Sequence, residues 1–515
     1  MWDDNKTIFA LATAQQKTGV AVIRISGEDC LQALQIFGIK GDLPPRKAIV
    51  RQLYENHEKG DLIDKALLIY FPAPHSFTGE STLEIQPHGS LAVIRKITEM
   101  LCLVKNFRMA MPGEFAKRAF KNGKMDLIEA EGLGDLIEAE TKAQHQQAVK
   151  LMRGDISKYY NDFKQSLVKN LAFLESFIDF PEEDIPSNLD EQITREITAL
   201  KNNLSQFLQD KRGFLIRSGV DVAIIGKPNV GKSSLFNIFA KKQAAIVTDV
   251  AGTTRDAIEI PIEIAGMKIN LIDTAGIRQT NDKIEKIGIK LAKERATQAD
   301  ILILMCDATE DVVDVADTAD VADTANMLDN FNKNSDLNCY LENFETDIEI
   351  TKKPDFILIN KIDKLPSKQQ LGLSHSLSIS GKSNESDKLN KSDATSSTAV
   401  MQEYPQGGLA SQRVFPISIM QKTGLDEFFA MLQSFVANIV SSYETPMITR
   451  LRHKNHIQNC IHNLESFLQA RAEQQPIELL AEDVRLAARE LGEITGHTDV
   501  EQLLDVIFSS FCIGK

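Results

Sequence analysis

The apolar positions of the chain change their spacing near residue 125, and the two spacings predict different kinds of structure. Between residues 1 and about 120, short apolar runs such as VAVIRIS (20–26) and KALLIYF (65–71) end at turn residues, as β-strands do. From about residue 125 the spacing becomes three and four, which is typical of an amphipathic helix. The stripe of that helix is formed by Ile156, Tyr160, Phe163, Leu167, Leu171, Leu174 and Ile178.

The helical pattern returns after about residue 445, with Leu480, Val484 and Leu491 on one face. Because each helical half leaves an apolar stripe that the other can cover, we expect one helical domain interrupted by an inserted domain. The expected fold class is multidomain, α/β plus α. Its expected parts are an α+β domain (1–121), a helical domain in two parts (122–215 and 441–515) and an inserted α/β domain (216–440).

The inserted domain contains two stretches of low complexity. DVADTADVADTA (314–325) is a tandem hexapeptide, and residues 380–400 are rich in Ser, Lys, Asp and Asn. Both compositions favour solvated loops over packed structure, so we interpret them as surface insertions near 308–350 and 366–412 rather than docking loops.

Composition then narrows the class of protein. The chain has 515 residues, 43% hydrophobic and 25% charged, which indicates a globular protein of two or three domains. It lacks a bilayer-length apolar run and a signal-peptide pattern, so a cytoplasmic location without membrane contact is expected. The formal charge of -14 argues against indiscriminate nucleic-acid binding, and the six scattered cysteines suggest neither a zinc site nor disulfides.

The stretch VDVAIIGKPNVGKSS (220–234) is a strand followed by the phosphate-binding pattern G-x-x-x-x-G-K-S. Its glycines let backbone N–H groups turn towards phosphate oxygens, its lysine places a cation on the β- and γ-phosphates, and its serine offers a hydroxyl to Mg²⁺. The predicted contacts are Asn229, Val230, Gly231, Lys232, Ser233 and Ser234.

Two further motifs follow in the order that a nucleotide switch requires. KINLIDTAG (268–276) is a strand ending in D-x-x-G, which supplies Asp273, Thr274, Ala275 and Gly276 near Mg²⁺ and the γ-phosphate. FILINKID (356–363) supplies Asn360, Lys361 and Asp363. Because a carboxylate only accepts hydrogen bonds, Asp363 suits the N1–H and amino group of guanine, so GTP is favoured over ATP.

The remaining nucleotide contacts are predicted on two loops. VTDVAGTTRD (247–256) is the expected switch, with Thr254 on Mg²⁺ when γ-phosphate is present. Its other predicted contacts are Thr248, Asp249, Val250, Ala251, Gly252 and Thr253. For the last guanine loop we favour Ser418 and Ile419, which a helical pattern follows, over SISGK (378–382).

Ile277 stands where many switch GTPases carry a water-orienting glutamine directly after D-x-x-G, so another group must complete catalysis. We predict a potassium ion enclosed by Asn229, Thr248, the Val250 carbonyl and Thr253. Glu285 is a candidate for orienting water, although the sequence alone favours a charge on a solvated helix face at this position. Arg255 and Arg278 are the alternative cation donors.

Taken together, the chain resembles the MnmE (TrmE) family of tRNA modification GTPases. The resemblance rests on the motifs above, on GVAVIRISG (19–27), SFTGE (76–80), PGEFAKRAFKNGKMDL (112–127) and IDFPEE (178–183), and on the terminal FSSFCIGK (508–515). It implies a tetrahydrofolate-binding and dimerising N-terminal domain, and an inserted Ras-like P-loop GTPase domain. It also implies a homodimer that forms a heterotetramer with an FAD protein of MnmG type, and an aminomethyl or carboxymethylaminomethyl group at C5 of the tRNA wobble uridine.

Carried over to this sequence, the resemblance makes Arg24, Glu80, Lys124 and Lys515 contacts for 5-formyl- or methylene-tetrahydrofolate. Cys512 is either a proton donor or nucleophile near that site, or a packing residue. The chain departs from the family at TAQQKTG (13–19), where Pro-Pro-Gly is usual.

Two interpretations stay open at the level of sequence. A ribosome-assembly or RNA-binding GTPase switch is the alternative function, because the nucleotide motifs are common to both classes. The basic stretch TRLRHKNH (449–456) either contacts RNA or is a solvated helix face.

Overall fold

Contacts within the chain cluster into two units. The first comprises Met1–Ala139, His145–Gly213 and Pro446–Lys515, and the second Glu140–Gln144 and Phe214–Thr445. The computed structural model describes residues 6–55, 60–180, 187–227, 229–242, 259–273, 298–309, 354–366, 413–440 and 448–496, and the single positions 511 and 514.

The first unit begins with a six-stranded sheet in the order β3-β4-β5-β2-β1-β6. Its strands pair antiparallel except β1 and β6, which are parallel. Phe9, Ile25, Leu68 and Ile97 are buried in its core. The elements are β1 (Thr7–Leu11), β2 (Ile23–Ser26), α1 (Gln32–Ile36), β3 (Ile49–Tyr54), β4 (Leu62–Phe71), β5 (Thr82–Gln86), α2 (Leu91–Cys102), β6 (Phe107–Met109) and α3 (Glu114–Lys121).

Helices follow this sheet along the chain. The first of them starts at a capping box, in which the Glu129 N–H donates to Asp126 and the Asp126 N–H donates to Glu129, both at 2.8 Å. In the longest helix the predicted stripe is buried at Ile156, Leu167 and Leu174. The elements are α4 (Leu127–Glu138), α5 (Lys142–Met152), α6 (Asp155–Asp179) and α7 (Ser187–Gln209).

The second unit contains a sheet in the order β12-β11-β10-β7-β9-β8, parallel except for the β8–β9 pair. The carboxyl ends of its parallel strands therefore meet at one edge, where open α/β sheets bind ligands. The elements are α8 (Arg212–Ser218), β7 (Val220–Gly226), α9 (Lys232–Lys242), β8 (Glu259–Ile264), β9 (Met267–Asp273), β10 (Ile301–Asp307), β11 (Phe356–Asn360), a 3₁₀ turn (Ile362–Lys364), β12 (Arg413–Pro416) and α10 (Leu425–Val440).

The chain then returns to the first unit as α11 (Leu451–Ala472) and α12 (Ile477–Thr495). Helix α12 packs against α6 and α11, and α11 packs against α7. The two halves of the helical domain thus cover each other, as the apolar stripes predict, and Leu480, Val484 and Leu491 are buried.

The predicted fold class is confirmed, with local differences. The apolar run at 20–26 forms a strand only over Ile23–Ser26. The predicted insertions fall largely outside the described residues.

Candidate functional site

The phosphate-binding loop follows β7 at the carboxyl edge of the second sheet. A Cβ on Gly226 would lie 2.3 Å from the Met305 carbonyl oxygen, and the backbone φ there is +152°, so only glycine allows strands β7 and β10 to approach this closely. Helix α9 begins at Lys232, whose ammonium donates to the carbonyls of Gly226 and Lys227, each at 2.7 Å. The ammonium of Lys232 therefore links the start of α9 to the first carbonyls of the phosphate-binding loop.

The other predicted loop residues differ in exposure. Val230 is buried and anchors the loop, whereas the side chains of Asn229, Ser233 and Ser234 are exposed. Asn229 has a left-handed backbone with φ of +63°, a conformation that asparagine tolerates. The hydroxyls and the carboxamide are thus available to a ligand at the first turn of α9, where helix N–H groups favour anions.

Asn360 joins the phosphate loop to the predicted guanine loop. Its side-chain amide donates to the Val230 carbonyl at 2.8 Å, and its carboxamide oxygen accepts from the Ile419 N–H at 3.1 Å. Asn360 is buried at the end of β11. One side chain therefore fixes the spacing between two loops that come from distant parts of the sequence.

Asp363 and Ser418 meet beside this bridge. The Ser418 hydroxyl donates to Asp363 at 2.5 Å and accepts from the Gln421 N–H at 3.1 Å. The loop is closed by Ser418 N–H to the Thr423 carbonyl at 3.0 Å. The structure thus brings together Asn360, Asp363, Ser418 and Ile419, whereas the alternative SISGK lies outside the described residues.

Several predicted site residues lie outside the described residues, and their roles stay predictions. Asp273 ends β9, and the structure describes only its backbone. The others are Thr248, Asp249, Val250, Ala251, Gly252, Thr253, Thr254, Thr274, Ala275, Gly276, Glu285, Cys512 and Lys515.

In the first unit, a cavity of about 220 Å³ is lined by Ala12, Arg24, Phe77, Leu133, Ile137 and Gly514. Its polar member is Arg24, whose guanidinium donates twice to Glu84, at 3.0 and 3.1 Å. The guanidinium also lies 5.3 Å from the centre of the Phe77 ring, within cation–π range. The cavity thus offers apolar walls and one fixed cation.

The two other described residues predicted to contact folate do not line this cavity. The Glu80 carboxylate accepts from the Ser26 hydroxyl at 2.8 Å and from Arg118 at 3.0 Å. Lys124 packs over Gly79, where an added Cβ would lie 3.0 Å from the lysine Cε. Of the three described residues, only Arg24 therefore lines the cavity, whereas Glu80 and Lys124 do not.

The two described residues of the C-terminal segment are docked in the first unit. Phe511 packs against the cluster of Ala116, Leu127 and Ala130. Gly514 has φ of +98°, and a Cβ there would lie 2.3 Å from the Leu11 carbonyl oxygen. Glycine is required because the segment passes so close to the end of β1.

Three side chains of the basic stretch 449–456 pair with acids of α4, so this stretch is not a solvated helix face throughout, whereas its contact with RNA stays a prediction. Arg452 donates to Glu131 of α4 through two nitrogens, at 3.1 and 3.2 Å, and His453 contacts Glu131 at 2.8 Å. Arg450 donates to Asp135 at 2.8 Å. No local motif identifies Glu131 as a partner of these residues, because its sequence context does not distinguish it from the other acidic residues of α4.

Electrostatics explain how this buried cluster stays charged. Burial alone would raise the pKa of Glu131, but His453, Arg452 and Arg450 lower it to about 2. Burial lowers the pKa of His453 despite Glu131, so the imidazole is neutral near pH 7 and donates through Nε2. Glu131 is therefore a carboxylate that two arginines compensate.

Comparisons with known proteins cover both units. Residues 127–512 match the MnmE helical domain, and residues 7–124 match the GTP-binding protein TrmE N-terminus. The tRNA modification GTPase MnmE of Wolbachia sp. subsp. Drosophila simulans (strain wRi) is 39% identical over 518 residues, which cover 100% of both chains. The chain belongs to the MnmE family of tRNA modification GTPases.

Other relatives and structures are similar to this MnmE-family chain. The MnmE of Parvibaculum lavamentivorans is 37% identical over 511 residues, covering 99% of this chain and 100% of that one. Among solved structures, Aquifex aeolicus Era bound to GDP·AlF4⁻ is 24% identical with a TM-score of 0.24, covering 47% of this chain and 66% of that one. Within the described residues, no helix has the length and apolar content needed to cross a bilayer.

Proposed function

We propose that the chain is a potassium-stimulated GTP hydrolase that acts with an MnmG-type FAD protein on tRNA. The product is an aminomethyl or carboxymethylaminomethyl group at C5 of the wobble uridine. The observation that carries the proposal is the meeting of the phosphate loop with Asn360, Asp363 and Ser418 at one sheet edge, in a chain of the MnmE family.

Nucleotide binding follows from the donors and acceptors at that edge. Lys232 exchanges the carbonyls of Gly226 and Lys227 for the β- and γ-phosphates. Asp363 accepts from guanine N1–H and the amino group, a pair of donors that adenine lacks. Ser233 fits Mg²⁺ because its hydroxyl is exposed at the start of α9, and Thr254 is the second proposed ligand.

Hydrolysis needs positive charge where negative charge develops between the β- and γ-phosphates, a role that an arginine fills in related enzymes with gains of about 10³ to 10⁵. A potassium ion supplies that charge when bound. Asn229 fits this role because its carboxamide is exposed on the loop, and Thr248, the Val250 carbonyl and Thr253 complete the proposed cage. Glu285 is proposed to orient the attacking water.

The first unit is proposed to hold the one-carbon donor, a 5-formyl- or methylene-tetrahydrofolate. Arg24 fits an anionic or carbonyl-bearing ligand because its guanidinium borders an apolar cavity. Glu80, Lys124 and Lys515 are the further proposed contacts, and Cys512 is proposed to move a proton there. The proposed assembly is a homodimer within a heterotetramer.

Hydrolysis rates in KCl and NaCl at equal ionic strength test the proposal. The full chain should hydrolyse GTP fast in KCl and slowly in NaCl, because sodium is too small for such a cage. Asn229→Ala should lose the potassium stimulation but retain GTP binding, whereas Asn237→Ala, an exposed asparagine on α9, should retain both. Equal rates of the unmodified chain in the two salts would contradict the potassium role and favour Arg255 or Arg278.

A further inference from the structure

Asp307 is a buried acid that none of the predicted motifs contains. It ends β10, between β7 with its phosphate loop and β11 with its N-K-x-D residues, and it pairs in register with Asn360. The Ala308 N–H donates to the Asn360 carbonyl at 2.8 Å. Asp307 therefore lies at the edge where the nucleotide loops meet, and only 1% of it is exposed.

Each carboxylate oxygen of Asp307 has its own donors. One oxygen accepts from the Thr309 N–H at 3.0 Å and from the Thr309 hydroxyl at 2.7 Å. The other forms an ion pair with the Lys361 ammonium. Burial alone would raise the pKa of Asp307, but Lys361 and Thr309 lower it below its usual value, so the carboxylate is ionised.

Lys361 has a left-handed backbone conformation directly before the turn that carries Asp363. Its φ is +66°, in the left-handed region that residues with a side chain rarely adopt and that costs free energy. This residue turns the chain from β11 into the 3₁₀ turn Ile362–Lys364, which carries Asp363. The Lys364 N–H closes that turn on the Lys361 carbonyl at 3.0 Å.

We propose that Asp307 is a positioning residue for guanine recognition. By holding the Lys361 ammonium, it stabilises the left-handed backbone that aims Asp363 towards Ser418, and so it sets the preference of the site for guanine. The inference rests on the proposed function, because it takes Asp363 as the group that reads the base. Asp307 itself touches neither base nor phosphate in this scheme.

The consequence concerns base selectivity more than general affinity. Inosine diphosphate lacks the exocyclic amino group of GDP, so the ratio of their affinities reports how well Asp363 is aimed at that group. An acid that only holds the fold together would weaken both nucleotides equally. The ratio therefore separates positioning from a merely structural role.

Titration calorimetry of the full chain with GDP and with IDP provides the test. Asp307→Asn should raise the Kd for GDP about tenfold, as expected for one charge-assisted hydrogen bond, and lower the preference for GDP over IDP about threefold. Asp355→Asn is the matched control, because Asp355 lies at the opposite end of the same strand pair and accepts from the Leu302 N–H at 2.8 Å. It should leave both affinities unchanged.

A double substitution tests whether Asp307 acts through Lys361. Asp307→Asn combined with Lys361→Met should bind GDP no more weakly than Lys361→Met alone. If Asp307→Asn does not fold, Thr309→Val removes one donor to the carboxylate and should lower the GDP preference by about twofold. Additive losses, or an unchanged GDP-to-IDP ratio, would overturn the inference, whereas an unmodified chain that binds no GDP would instead overturn the proposed function.

Discussion

The nucleotide loops of the second unit and the buried charges of the first unit are assembled in different ways. In the second unit, each functional segment lies at the carboxyl end of a parallel strand of the same sheet, so the strand order brings Lys232, Asn360 and Ser418 together. In the first unit, Glu131 meets Arg452 across 321 positions of sequence. Short motifs therefore reveal the first kind of site, whereas only the fold reveals the second.

The greatest loss of stability is expected when the buried ion-pair cluster around Glu131 is broken. Glu131→Ala should destabilise the first unit by about 3–5 kcal/mol, because it leaves Arg452 and His453 without their buried carboxylate partner. Hydrogen exchange of the full chain should show faster opening of α4 and α11. The matched control is Glu482→Ala, which removes a half-exposed partner of Arg485 and should cost less than about 1 kcal/mol. Equal exchange rates in the two variants would contradict the larger contribution assigned to the buried Glu131.

Acid should weaken the same cluster. The pKa of Glu131 falls from 4.5 in the unfolded chain to about 2 in the folded one, so its stabilisation is present above pH 4.5 and is lost towards pH 2. The shift corresponds to about 3 kcal/mol. Urea midpoints of the chain and of Glu131→Gln should therefore differ at pH 7 and converge as the pH falls below 4.5. A difference that does not change with pH would show that Glu131 is not ionised.

A smaller effect is expected at Asp363, the residue proposed to read guanine. Asp363→Asn replaces a charged acceptor with an amide, which should weaken GDP binding by about 2 kcal/mol, or roughly 30-fold. The new amide N–H can donate to the 2-oxo group of xanthine, so XDP should gain affinity. Fluorescence titration with labelled nucleotides measures both, and a parallel loss for GDP and XDP would mean that Asp363 does not read the base.

The smallest effect is expected at the cavity of the first unit. Arg24→Ala should weaken binding of a tetrahydrofolate about tenfold, or about 1.4 kcal/mol, because the cavity loses its fixed cation. GTP hydrolysis should stay unchanged. Arg95→Ala, an exposed arginine on α2, is the matched control and should alter neither. Loss of hydrolysis with Arg24→Ala would contradict the separation of the two sites.

The sequence predicted what depends on local pattern. Strands β7 and β11 are mainly apolar runs and helix α6 has a clear stripe, so both kinds of element could be recognised. The partners of Arg450, Arg452 and His453 could not, because their acids lie on a helix far away in sequence. The role of Asp307 could not be predicted for a similar reason, since its ion pair with Lys361 joins two neighbouring strands rather than residues of one motif.

Nucleoside analysis of tRNA from a deletion strain tests whether the chain takes part in wobble-uridine modification. We expect the strain to lack the C5 modification of the wobble uridine, and the unmodified gene to restore it. Asp363→Asn and Arg24→Ala should each fail to restore full modification, although only the first impairs GTP hydrolysis. Normal wobble modification in the deletion strain, together with defective ribosomal subunits, would contradict the account and favour a ribosome-assembly GTPase.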